Sequence, residues 1–99
     1  DVAIKIGKIS SQFLDYLIIK EDRNLRGRKR GEIARLIEKG VKLYSNNKKY
    51  EIILSEEKAF KKAISLASKG DYIVVFYEKL EPLINIIEGY KNEKIVLKA

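Results

Sequence analysis

The sequence contains no cysteine and no histidine. Without cysteine there is no disulfide, no thiolate nucleophile and no thiolate-built zinc or iron–sulfur site. Without histidine the usual neutral-pH base and the commonest transition-metal ligand are missing. Serine–histidine, cysteine–histidine and histidine–metal mechanisms are excluded together. Only carboxylates, Lys, Tyr or groups on a partner remain for chemistry. Methionine is absent even at the first position, where the chain opens Asp1-Val2-Ala3-Ile4. That start is expected of a piece cut from a longer protein. No apolar run approaches the roughly 18 residues needed to cross a bilayer. The longest, at 16–19 and 72–77, are of strand length. The first segment has charges inside its apolar pattern and does not resemble a signal peptide. A cytoplasmic protein with no membrane partner is the expectation.

What is present is 99 residues, 45% hydrophobic and 35% charged, which suits one globular domain and is too short for two. Residues 1–99 are read as a single domain. The formal charge of +7 is uneven: residues 20–30 hold six bases and two acids, net +4. Arg23, Arg26, Arg28 and Arg30 lie in that stretch, in a chain that has 16 Lys and only five Arg. A guanidinium grips carboxylate or phosphate with two bonds, which an ammonium cannot do. The clustering therefore points to oxyanion recognition, against the plainer reading of a solvated loop.

The hydrophobic pattern alternates between two periods. Val2, Ile6, Ile9 and Phe13 recur at helical spacing, which predicts an amphipathic helix over 2–14 with no cap or lead-in. Residues 16–19 form a continuous run of β-formers, as in a strand buried on both faces of a parallel sheet. A loop over 21–30 follows. A second helix opens at Gly31-Glu32-Ile33, with Gly40 or Asn46 available to stop it. Residues 50–54 predict a second strand. Ser55 is a plausible N-cap for a helix whose apolar face is Ala59, Phe60, Ala63, Ile64 and Ala67. Residues 72–77 are the strongest strand and are expected to be central. Pro82 suits the first turn of a last helix with Leu83, Ile86 and Ile87 inward, and residues 94–97 form a final edge strand.

The order α-β-α-β-α-β-α-β with short connections predicts an α/β fold, a three-layer Rossmann-like domain with a mostly parallel sheet. Such units normally start with a strand, so the first strand is expected to be lacking. Ligands of open α/β sheets bind outside the carboxyl ends of the strands. That rule selects the loop over 21–30, the segment Ser55-Glu56-Glu57 and the loop over 77–82, and it places the arginines together with Glu78 and Glu81. Cations for a carboxylate or phosphate and carboxylates for an ammonium or guanidinium would match an amino acid. Glu81 ahead of Pro82 is equally explained as an acid at a helix N-terminus, favoured by the dipole. No GxGxxG or GxxxxGK[ST] loop occurs, so no phosphate cradle is found in this chain.

Leu-Arg-Gly-Arg at 25–28, after the acidic pair Glu21-Asp22 and before Gly-Glu-Ile-Ala at 31–34, resembles the C-terminal region of cyanophycin synthetases. Ala67-Ser68-Lys69-Gly70-Asp71, leading into the strand at 72–76, is similar to a segment that the Mur ligase superfamily shares near its end. The resemblance covers nearly the whole chain. It implies the Rossmann-like C-terminal domain of an ATP-dependent amide ligase, which closes over a central ATP-binding domain and helps hold the incoming amino acid. The family activates an aspartate side-chain carboxylate as an acyl phosphate, which the α-amino group of arginine attacks to give an isopeptide bond. ATP and Mg would be bound mainly by a domain outside this chain, with no cofactor, metal or catalytic residue expected here and no activity from the isolated piece.

The resemblance carries site residues over by position. Asp22 to Arg26 matches the superfamily's Asp-Asn-Pro-Arg motif, without the Pro and with one extra residue, so Arg23 is the other candidate. Glu81 matches the last residue of a Gly-Lys-Gly-His-Glu turn. The implied substrate-binding set is Asp22, Arg23, Arg26, Arg28, Glu78 and Glu81. Expected partners are the other domains of the same ligase, an amino acid, an aspartate-containing polymer and further copies of the parent enzyme. The alternative is a basic nucleic-acid-binding module, although aromatics do not interleave with the bases as single-strand stacking requires.

Overall fold

The computed structural model describes residues 1–89 and the backbone of a strand at Lys94–Lys98. The chain runs α1 (Val2–Phe13), β1 (Leu17–Glu21), α2 (Glu32–Tyr44), β2 (Tyr50–Ser55), α3 (Glu56–Leu66), β3 (Tyr72–Phe76), α4 (Leu80–Ile87) and β4 (Lys94–Lys98). The fold is the α/β alternation that the two hydrophobic periods predict. Ser55 caps α3 by accepting the Lys58 N–H at 3.3 Å, and Pro82 lies in the first turn of α4. Helix α2 runs through Gly40 and stops at Ser45.

Three layers form around the strands. Leu17 and Ile19 on one face of β1 pack with Ala34 and Val41 of α2, supported by Tyr50, Ile52 and Leu54 of β2. Lys20 points the other way, because strand side chains alternate, and its ammonium meets Glu56 of α3 at 2.6 Å. Helices α2 and α3 therefore cover opposite faces. A second core joins Phe60 and Ile64 of α3 to Ile73 of β3 and Leu83 of α4. Leu83 is fully enclosed, and burying such a side chain is worth roughly 1.5–3 kcal/mol.

Two features depart from the sequence reading. The expected single sheet with 72–77 at its centre is, among the described residues, two parallel pairs, β1 with β2 and β3 with β4. Among the described residues β3 is thus bordered by β4 alone, and β1 has one fully buried face and one half-buried face. The second departure is α1. Asp1 caps it after all, its carboxylate accepting the Ala3 N–H at 2.7 Å. Its buried face is Ala3, Gly7 and Ser11, while Val2, Ile6, Ile9 and Phe13 are exposed. The cause is a backbone-to-backbone seam with α2. A Cβ on Gly7 would collide with the Ile37 carbonyl, and one on Gly40 with the Ile4 carbonyl. Small residues permit that approach, and Ser11 enters the seam only because its hydroxyl donates to the Gly7 carbonyl at 2.8 Å.

Candidate functional site

The carboxyl ends of β1, β2 and β3 converge on a recess of about 220 Å³, lined by Arg23, Arg30, Glu57, Glu78, Lys79 and their neighbours. Glu21 and Glu56 line it as well. The recess is built by carboxylates that accept backbone N–H groups from neighbouring elements.

Glu21 is the deepest of them, 4% exposed. Leu17, Ile19 and Glu21 share one face of β1, so the last residue enters the same buried layer as the first two. Its oxygens accept the N–H of Gly31 and of Ala34, each at 2.9 Å. These are orphan donors at the start of α2, whose own N-cap is Gly31 in a left-handed conformation (φ 93°) without a capping side chain. Glu21 thus caps α2 from another element and places a negative charge at its dipole-positive end. Arg30 reaches back to Glu21 at 3.4 Å and donates to the carbonyls of Asp22 and Arg23 at 2.9 and 3.3 Å. Its guanidinium is a staple for the loop over 22–30.

Glu56, in the first turn of α3, accepts from the Lys20 ammonium and from the N–H of Glu78 at 2.8 Å and Lys79 at 3.4 Å. Glu78 in turn accepts the N–H of Arg23 at 2.7 Å and of Asn24 at 3.2 Å. The Arg23 N–H, then the Asn24 N–H, hold the Glu78 carboxyl below its ordinary range, with Lys79 and Lys20 adding a smaller pull and desolvation opposing. The loops after β1 and β3 are therefore tied through ionised carboxylates.

Of the residues that the sequence points to, Arg23 and Glu78 line the recess. Asp22 is outside its lining and pairs with Lys20 at 3.0 Å. Arg26, Arg28 and Glu81 are outside its lining. Arg28 pairs with Glu32 one turn along, at 2.8 Å. Arg26 sits at the loop tip with φ 50°, followed by Gly27 at φ 85°. A left-handed non-glycine residue costs about 1–2 kcal/mol. The Asn24 side chain accepting the Arg26 N–H and the Leu25 carbonyl accepting the Arg28 N–H secure the turn. Glu81 is exposed in the first turn of α4.

Sequence reasoning selected the segments that hold Glu21 and Glu56 but gave neither residue a role, and it left out Lys20. The parity of Glu21 with Leu17 and Ile19 carries the signal for the first. The other two depend on which helix covers which face. The Arg23 side chain is only loosely held: it is 77% exposed and touches Glu57 at 3.5 Å. The recess thus pairs a loosely held guanidinium with carboxylates at Glu57 and Glu78. Such a set suits a small zwitterion with an additional positive charge. Among the described residues no group of three or more acidic, Cys or His side chains is placed to hold a metal ion. None of the helices is long and apolar enough to cross a membrane, again among the described residues.

Comparison with known proteins finds no matching family model and no matching solved structure. Cyanophycin synthetases do match. That of Geminocystis herdmanii is 42% identical over 86% of this chain, that of Synechocystis sp. 39% over 89%, and that of Nostoc sp. 34% over 93%. The chain spans about a tenth of the length of each. Over some nine tenths of its own length, this chain is homologous to cyanophycin synthetase.

Proposed function

We propose that the chain is the substrate-positioning, C-terminal domain of an ATP-dependent amide ligase of the cyanophycin synthetase type. In this reading the parent enzyme joins the α-amino group of arginine to an aspartate side-chain carboxylate activated as an acyl phosphate. The recess holds the incoming arginine, and the chain alone is inactive. The observation that carries the reading is the pairing of Arg23 with Glu57 and Glu78 in one recess of a chain homologous to such enzymes.

Arg23 swings from Glu57 to grip the α-carboxylate, which leaves Glu57 to meet the substrate's guanidinium. Glu78 holds the backbone under Arg23 and so sets where that guanidinium starts. Catalysis from these groups is orientation and charge, with no covalent bond to the chain. This chain has no GxGxxG or GxxxxGK[ST] loop to cradle a triphosphate. ATP and Mg accordingly belong, in this proposal, to another domain of the parent enzyme. The nucleic-acid alternative draws little from the loop, because Arg28 is paired with Glu32 and Arg30 is held by Glu21 and two loop carbonyls.

The test is arginine-dependent ligation by the full-length enzyme carrying Arg23→Ala or Arg26→Ala. A charge-assisted bond is worth about 1.5–3 kcal/mol, so Arg23→Ala is expected to raise the KM for arginine roughly 10- to 150-fold. A normal KM for Arg23→Ala with a raised one for Arg26→Ala would move the carboxylate site to the loop tip. Normal values for both would refute the recess as the arginine site.

A further inference from the structure

We propose that Lys20 is a positioning residue for the incoming amino acid. It does not touch that substrate; it fixes the backbone from which Arg23 reaches out. The inference rests on the reading of the recess as an arginine site.

Lys20 does not line the recess. Side chains alternate along a strand, so Lys20 leaves the face of Leu17, Ile19 and Glu21 and enters the one that α3 covers. There its side chain is 16% exposed, and that of Glu56 opposite is 12% exposed. Charges so shielded from water need partners. Lys20 has two carboxylates, Glu56 at 2.6 Å and Asp22 at 3.0 Å.

The two partners lead to Arg23 by separate routes. Asp22 directly precedes Arg23 in the chain, so its bond to Lys20 holds the start of the loop. The route through Glu56 is longer. The Glu56 oxygen that receives the ammonium also accepts the Glu78 N–H at 2.8 Å, and its second oxygen accepts the Lys79 N–H at 3.4 Å. These bonds fix the Glu78 backbone. The Glu78 carboxylate in turn accepts the N–H groups of Arg23 and Asn24 at 2.7 and 3.2 Å. The contacts close a ring that runs from Lys20 through Asp22, Arg23, Glu78 and Glu56 back to Lys20.

Charge makes Lys20 the keystone of that ring. The side chains that bond within it are the carboxylates of Asp22, Glu56 and Glu78, and the ammonium of Lys20. Without the ammonium, Asp22 and Glu56 are close like charges, which repel. The ring then opens where Glu56 grips Glu78. Arg23 gives this opening its consequence. Its side chain is 77% exposed and its contact with Glu57 is long, so side-chain bonds do little to place it. Its backbone does, through Glu78. A guanidinium grips a carboxylate with two parallel bonds and so depends on the direction of approach. A displacement of about 1 Å caused by a remote change can cost about 100-fold in rate.

The experiment is a double-mutant cycle on arginine-dependent ligation by the full-length enzyme, with Lys20→Met, Arg23→Ala and the pair. Methionine keeps most of the stem and removes the charge. Lys20→Met is expected to raise the KM for arginine about 10-fold, within the range for residues coupled through one ionic network. In the Arg23→Ala background the same change is expected to alter KM less than about twofold. An equal rise in both backgrounds would mean that Lys20 acts on the domain at large and would overturn the proposal. A normal KM for Lys20→Met beside a raised one for Arg23→Ala would overturn the role of Lys20 and leave the arginine site standing. A normal KM for Arg23→Ala would overturn both. Glu56→Gln repeats the cycle with a milder change, since the amide keeps an acceptor for the Glu78 N–H and loses the ion pair. Its rise in KM is expected to be smaller and to vanish in the Arg23→Ala background, and a rise that persists there would reject the ring.

Discussion

Replacing Glu21 by Gln tests the construction of the site with almost no change in volume. The wild-type carboxylate accepts two backbone N–H groups at 2.9 Å in a place closed to water. A glutamine keeps one acceptor and turns an NH2 group toward a backbone donor. One of the two N–H groups is then left without an acceptor. A buried donor without an acceptor costs about 1–3 kcal/mol, and removal of the charge from the first turn of α2 costs a further ~0.3–1 kcal/mol. Arg30 adds little, because its 3.4 Å contact is half exposed and such pairs are worth about 0–1 kcal/mol. The expected loss is about 2–3 kcal/mol. With a urea slope of the order of 1–1.5 kcal/mol per molar for a domain of this size, the unfolding midpoint falls by roughly 2 M. Amide exchange at Gly31 and Ala34 should accelerate in parallel, and before any change in the α3–α4 core. A midpoint shift below about 0.4 M, which corresponds to ~0.5 kcal/mol on the same slope, would refute the reasoning. It would mean that Gly31 and water suffice to satisfy the start of α2.

Further outcomes follow from other contacts. Gly40→Ala puts a methyl group into the Ile4 carbonyl, so α1 must separate from α2; a loss of about 2–4 kcal/mol in thermal unfolding is expected, and a loss below ~1 kcal/mol would show that the seam can slide. The Glu78 carboxyl has its folded-state value below the unfolded one, so its link to Arg23 and Asn24 is fully present above the ordinary carboxylate range near ~4.3 and is lost as pH falls through the depressed value. The amide resonances of Arg23 and Asn24 should report that loss only below the ordinary carboxylate range, and Glu78→Gln should abolish the titration. Tyr50 donates to Glu38 at 2.6 Å, and the carboxylate pushes its phenol above the usual value near 10. The stability from that bond is present below the unfolded value and lost as pH rises through the raised folded one; an ultraviolet titration of Tyr50→Phe should lose one late-ionising phenol and keep that of Tyr16, which donates to Glu51 and is raised for the same reason.

Much of the site was legible in the chain, for a definite reason. The arginine loop lies at the carboxyl end of β1 because a strand pattern precedes it and a helix pattern follows it, and both are local. Arg23 and Glu78 could be named from that placement alone. Glu21 could have been found by parity, since it continues the buried face of Leu17 and Ile19. Arg26 and Arg28 could not be sorted from Arg23 in this way. All three are exposed cations in one loop, and only the turn at residues 26–27 and the presence of Glu32 send two of them away.

The sequence by itself determined the alternation of helices and strands, the capping of α3 by Ser55, and the exclusion of cysteine and histidine chemistry. Each depends on residue type or on spacing within one element. The tertiary structure alone decided which face of α1 is covered. Its apolar stripe predicts one answer, yet Gly7 meets α2 where Gly40, 33 positions away, lets two backbones approach. It also decided that Lys20, Glu56 and Glu78 form one ionic chain across β1, α3 and β3. Periodicity records how an element divides its own surface; what lies against each side is set by neighbours distant in sequence, through close packing and the need to pair every buried charge.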